Sequence, residues 1–198
     1  MRKLTIILLL SSTLLLSACG NYNDTTGTPA EKLETVTAKE KAEKDDLSFK
    51  AGVLETQTYK LKIINTEIIQ SASAEKPGLY VSFELTNKSE ETLRPFDVLY
   101  DIGFKQQTAA SSMEMTSGYR SFDAFGQDAK SVNIMTERQN ALSDDLEPGK
   151  TMKIYNAYSL DNPTDEVQVF PTINNFNNDD FDAYVIDLTE LTPKNNGA

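Results

Sequence analysis

From Val53 onward, apolar residues recur at every second position, and this period of two constrains the fold more than any other feature of the chain. Tyr59, Leu61 and Ile63 share one face of an extended segment whose other face carries Lys60 and Lys62. Val81, Phe83 and Leu85 alternate in the same way with Ser82, Glu84 and Thr86. Successive side chains of a strand point to opposite sides, so each run marks a half-buried strand. The reading extends to Val98, Tyr100, Ile102 and Phe104, to Met152 through Tyr158, to Val167 and Val169, and to Tyr184, Ile186 and Leu188. No segment after residue 50 sustains an apolar repeat of helical period, so long amphipathic helices are not expected.

Turn chemistry separates these runs. Lys76-Pro77-Gly78-Leu79 and Glu147-Pro148-Gly149-Lys150 place Pro and then Gly at the two central positions, where a type II turn needs a fixed negative φ followed by a positive one. Asn87-Lys88-Ser89 and Asp161-Asn162-Pro163 close strands with side chains that bond their own backbone. About seven short strands in such an arrangement predict an all-β, antiparallel two-sheet sandwich, with an open barrel of the oligonucleotide-binding type as the alternative.

The N-terminus reads differently. Arg2 and Lys3 precede the apolar run Leu4 to Leu16, and the small residues Ser17-Ala18-Cys19-Gly20 follow. A basic start, a short apolar core and a small-residue cut form a secretory signal, too short to span about 30 Å of hydrocarbon as a helix. Leu16-Ser17-Ala18-Cys19 resembles the lipobox of bacterial lipoproteins. That resemblance implies cleavage after Ala18 and a lipid, diacylglyceryl and palmitate-like, on the Cys19 sulfur. The mature chain would then stand outside the cytoplasmic membrane, anchored to its outer face.

Cys19 is the one cysteine, and there are no histidines. Intramolecular disulfides, Cys/His zinc sites and every Ser-His or Cys-His catalytic pair are therefore excluded. Thirty acids face nineteen lysines and arginines, a net charge of -11, which leaves no cationic footprint for nucleic acid. Loss of Arg2 and Lys3 with the signal takes the balance to 17 cations against 30 acids, or -13. Such a body is repelled by anionic headgroups, so the lipid must do the anchoring.

Between Gly20 and about Phe49 the chain reads as a tether, first rich in Asn, Asp, Thr, Gly and Pro and then alternating acid and base. It offers too little apolar surface to offset the entropy of ordering. The expected organisation is a signal over 1–18, a lipidated, flexible, charged tether over 19–51, a sandwich over 52–192 and a disordered tail over 193–198.

Gln106 to Lys130 is long for a connection in a compact domain, and long loops are commonly functional. It carries Tyr119, Phe122 and Phe125 among polar residues, a candidate partner-binding loop because aromatic rings supply contact area at low entropic cost. The alternative is that these rings cap the core or pair at an edge.

Motifs for chemistry fail on context. Ser73-Ala74-Glu75-Lys76 matches the S-x-x-K of penicillin-recognising enzymes but runs into a Pro-Gly turn, and the companion motifs are absent. Gly149-Lys150-Thr151 ends like a phosphate loop, yet the first glycine of that loop would fall at Asp144. Asn174 to Asp182 offers hard oxygen ligands of the kind calcium selects, but as an EF-hand loop it lacks the required glycine and glutamate, so a solvated turn is expected there, with an irregular calcium loop as the alternative. No catalytic, cofactor or metal residue is assigned.

Across most of residues 52–192 the chain resembles the Gram-positive lipoprotein domains grouped as domain-of-unknown-function family 5067. Leu79-Tyr80-Val81-Ser82-Phe83-Glu84-Leu85-Thr86-Asn87-Lys88-Ser89 matches their strand followed by a Thr-Asn-x-Ser turn. Leu146-Glu147-Pro148-Gly149-Lys150-Thr151 leads into Tyr155 to Leu160 as their later turn and strand do, and Phe104-Lys105-Gln106 stands where a Phe-Gln occurs, without its glycine. The resemblance implies an immunoglobulin-like sandwich and no established activity. The expected function is a non-enzymatic module that binds an unknown protein or glycan, the membrane being reached through Cys19. The alternative is a structural or accessory subunit of an envelope complex.

Overall fold

The computed structural model describes residues 47–173 and 181–191. Cys19, residues 1–46, Asn174 to Asp180 of the acidic cluster and the 192–198 tail lie outside the described residues. In chain order the strands are β1 (Ser48–Lys50), β2 (Val53–Glu55), β3 (Tyr59–Ile69), β4 (Gly78–Asn87), β5 (Ile102–Gln107), β6 (Ser112–Glu114), β7 (Thr151–Ser159), β8 (Val167–Pro171) and β9 (Tyr184–Ile186). Among the described residues two α-helices accompany them, α1 (Pro95–Val98), continued by a 3-10 turn over Leu99–Asp101, and α2 (Ala129–Asn140). One sheet has the order β1-β2-β3-β4-β7 and the other β6-β5-β8-β9, with every pairing antiparallel.

The alternating residues build the core between the sheets. Leu61, Val81, Phe83, Leu85 and Ile154 of the first sheet pack with Phe104, Val167, Val169 and Ile186 of the second. Phe104 links the layers, its ring 6.5 Å from Phe83 and 4.1 Å from Tyr158. The chain is thus an all-β sandwich. Among the described residues it has nine strands rather than about seven, since three-residue strands such as β1 and β6 are too short to show a period.

Three elements depart from the sequence reading. Ser48–Lys50, placed in the tether, pairs with β2, and Phe49 is buried in the core. Ala51 and Gly52, at φ of 52° and 73°, close this hairpin in the positive-φ geometry that suits the strand twist. Val98 and Tyr100, read as strand, lie in α1 and its 3-10 extension. Pro95 sits in the first turn of α1, where its missing N–H is harmless, and the strand begins only at Ile102.

The third departure is α2. Among its residues only Met135 is buried, so it carries no apolar stripe for periodicity to detect. Its N-terminus is held instead by Asp128, whose Oδ1 accepts from the backbone N–H groups of Lys130 and Ser131. A hydrogen bond from the Ser131 hydroxyl to Asp128, with those backbone bonds, holds that carboxyl below its ordinary pKa.

Gly149 behaves as its turn predicts, with φ +69° and Lys150 N–H donating to Glu147 O at 3.1 Å. Gly78 does not share that conformation and is the first residue of β4. A Cβ there would lie 2.5 Å from the Tyr119 ring, so close approach and not turn geometry requires the glycine.

Candidate functional site

β4 is buried on both faces, although only Leu79, Val81, Phe83 and Leu85 point into the sandwich. The outer face is covered by the chain from Gly118 to Phe125 and by α2. Ile69, Tyr80, Tyr119, Ala124, Met135 and Ala157 form a second, smaller core there, with Phe125 and Tyr155 packed against it.

Tyr119 is the clasp of this layer. Its backbone N–H and that of Gly118 both donate to Ala157 O, at 3.2 and 3.0 Å, laying the segment beside β7. Its ring lies over Gly78, and its hydroxyl donates to Lys76 O at 2.9 Å and accepts from Ser71 N–H at 3.0 Å. Of the three aromatic residues in the candidate binding loop, Tyr119 is therefore buried. Phe125 is half-buried with its ring 4.8 Å from Tyr80, and Phe122 is exposed.

A cleft of about 490 Å³ lies between this segment, α2 and the sheet face, within the size range of small-ligand sites. Tyr80 and Tyr155, stacked at 5.8 Å between centroids, line it together with Tyr119 and Phe122. Arg138 reaches across from α2, its guanidinium 4.4 Å from the Tyr155 ring centroid and 5.4 Å from that of Phe125. One of its N–H groups donates to the Tyr80 hydroxyl at 3.3 Å. Burial raises the Tyr80 pKa, and the Arg138 contact opposes that shift without cancelling it, so the phenol stays neutral.

Stacking fixes the guanidinium and leaves most of its five donors uncommitted. Arg120, exposed, lines the same cleft. The described residues hold three arginines, Arg94, Arg120 and Arg138, so two of the three converge here, and neither is in a salt bridge among the described residues. Asp123 lines it too, and its buried Oδ1 has no hydrogen-bond partner among the described residues. Sequence reading found the aromatic half of this site and missed Arg120, Arg138 and Asp123. Only folding brings α2 to the loop.

The other motifs are placed without chemistry. Ser73 sits in a turn with its hydroxyl on Ser71 Oγ at 2.8 Å, and Lys76 pairs with Asp161 rather than with Ser73. No group of three acidic residues or other metal ligands among the described residues is arranged to hold an ion. No helix among the described residues is long and apolar enough to cross a membrane.

The family described as a domain of unknown function (DUF5067) matches residues 34–171. No curated protein matches the chain. Among solved structures, a candidate lipoprotein from Staphylococcus aureus is similar with a TM-score of 0.61 at 18% identity, over 75% of this chain and 96% of that one. A protein from Enterococcus faecalis is similar at 0.47 and 17% identity, over 65% and 82%. A candidate lipoprotein from Bacillus subtilis is similar at 0.44 and 12% identity, over 71% and 40%.

Proposed function

Because the chain belongs to the family described as a domain of unknown function (DUF5067), a description that assigns no activity, we propose from its own residues that it is a lipid-anchored, extracytoplasmic binding module without catalytic chemistry. The anchor is read from the lipobox at Leu16 to Cys19. Each buried lipid CH₂ contributes about 0.8 kcal/mol and a single myristoyl chain holds only marginally, so the two or more chains of a lipoprotein are what retain the acidic domain. Cys19→Ser is expected to abolish labelling by a fatty-acid probe and to release the protein into the medium. Labelling that persists in the variant rejects the anchor.

The ligand follows from the cleft. Two of the three described arginines converge on it in a chain whose net charge is -11, and this observation carries the reading. A guanidinium fork matches a carboxylate, and the tyrosine floor offers apolar contact beside it. A donor from the ligand would satisfy Asp123 Oδ1, which has no hydrogen-bond partner among the described residues. A carboxylate next to an N–H donor describes an acidic peptide segment, whereas a fully ionised inorganic anion such as sulfate brings no donor. The partner is therefore a protein that presents an Asp- or Glu-containing strand or loop.

Calorimetry with a library of acidic hexapeptides, each paired with its Asn/Gln counterpart, tests this. Binding of acidic peptides is expected to fall at least tenfold in the amide counterparts and in Arg120→Ala, and only partly in Arg120→Lys, which keeps the charge without the fork. Arg120 is exposed, so its loss leaves the fold intact. Equal binding of acid and amide peptides, or no response to Arg120→Ala, defeats the assignment.

A further inference from the structure

A second cavity of about 220 Å³ opens beside β5 and β7. In a chain with 25% charged residues, not one charged side chain lines it. Phe104 and Met115 supply apolar wall, and Ser117 and Thr172 supply neutral hydroxyls. At it stand Phe96 and Tyr100, edge to face at 5.2 Å between centroids and, at 47% and 67% exposure, two of the most exposed large apolar residues of the domain. Tyr158 also lines the cavity; it is 4% exposed, and its buried hydroxyl has no hydrogen-bond partner among the described residues. Burial pushes the Tyr158 pKa up, and the nearby Asn156 side chain opposes that shift without meeting hydrogen-bond geometry.

We propose that this cavity binds one neutral sugar ring of a glycan. A purely apolar occupant leaves the Tyr158 hydroxyl unpaired, which costs free energy in a low-dielectric site. An anion finds no cation there, and a cation finds no carboxylate. A sugar ring meets both demands. Its C–H face lies on the exposed rings of Phe96 and Tyr100, while its hydroxyls bond to Tyr158, Ser117 and Thr172. The Thr172 hydroxyl already donates to Tyr100 O, which orients it as an acceptor for the ligand and ties it to the aromatic rim. The volume has room for one ring, so further sugars of the chain would extend into solvent.

Binding is read by calorimetry, because only Tyr100 and Tyr158 of the eight tyrosines line the cavity and the variants remove one or the other. The full mature chain carrying Cys19→Ser is titrated with methyl glucoside, with the β-linked trisaccharide of N-acetylglucosamine and with glucuronic acid. Saturable binding of a neutral sugar is expected, weakened at least tenfold in Tyr100→Ala, whose side chain is exposed and whose loss spares the core. Tyr158→Phe is expected to weaken binding by a similar factor while leaving the melting temperature unchanged or higher, because it removes an unpaired hydroxyl. Arg120→Ala is expected to bind the sugar as wild type does. Three results overturn the proposal: no saturation by either neutral sugar up to about 10 mM, well above a millimolar dissociation constant; tighter binding of glucuronic acid than of the neutral sugars; or unchanged affinity in Tyr100→Ala. A clear fall in melting temperature for Tyr158→Phe overturns the role of its hydroxyl and the proposal with it.

Discussion

Gly78→Ala is expected to destabilise the domain by about 2 kcal/mol, a large effect for one methyl group, because overpacking a closed site typically costs 1–3 kcal/mol. The added Cβ would lie 2.5 to 2.7 Å from three ring atoms of Tyr119. That ring cannot swing aside. Its hydroxyl is held by Lys76 O and Ser71 N–H, and its backbone is tied to Ala157 O. Tyr119→Ala is expected to cost roughly 3 kcal/mol through lost burial, and it strands the Ser71 N–H as well. The two substitutions should be strongly coupled. With the ring gone the methyl group meets no obstacle, so the double variant is expected to be about as stable as Tyr119→Ala alone, a coupling of about 2 kcal/mol. Denaturant midpoints of the four proteins decide it, and simple additivity rejects the clasp. Because Tyr119 carries one wall of the arginine cleft, both single variants are also expected to lose the acidic-peptide binding that Arg120 supports.

Gln106→Leu carries the second large effect. Gln106 is 1% exposed, and its carboxamide serves a loop that has no regular structure of its own. Nε2 donates to Asn162 O at 2.7 Å and to Asp165 O at 3.3 Å, while Oε1 accepts from the N–H groups of Asp161 at 2.7 Å and Asn162 at 3.4 Å. Leucine fills much of the same space but leaves these backbone groups against hydrocarbon. Each unsatisfied buried group costs about 1–3 kcal/mol, so a loss of roughly 3 kcal/mol is expected, with the melting temperature falling by about 2–4 °C per kcal/mol in a domain of this size. Amide exchange at Asp161 should accelerate more than exchange in β3. A loss below about 0.5 kcal/mol, the range of an ordinary surface change, would show that water replaces the carboxamide at no cost.

The strands were legible wherever apolar side chains alternate with polar ones. Val81, Phe83 and Leu85 point into the core as their alternation with Ser82, Glu84 and Thr86 requires. Phe49 escaped notice because one buried aromatic in a charged stretch has no period. Helix α2 escaped for a related reason: a helix that buries only Met135 and is fixed by an N-cap and a stacked arginine displays no apolar stripe. The Pro-Gly turn at Gly149 was legible, because φ +69° is a local demand of the backbone. The same dipeptide at Gly78 misled, since its glycine answers to a ring 41 positions away in the chain.

Tyr119, Phe122 and Phe125 were recognisable as an aromatic segment too long for a simple connection, and the structure separates them. Tyr119 closes the second core, Phe125 supports Tyr80 and Arg138, and Phe122 remains at the cleft. The sequence by itself determined what neighbouring residues control: the period of two, the turn at Gly149, the resemblance of Leu16 to Cys19 to a lipobox and the lack of any histidine. Tertiary structure alone decided that the outer face of β4 is covered, that Arg120 and Arg138 meet, and that Phe96, Tyr100 and Tyr158 gather at one neutral cavity. Periodicity reports which face of an element is apolar, whereas a site depends on which distant elements pack together, and that choice is made by the summed burial and hydrogen bonding of the whole chain.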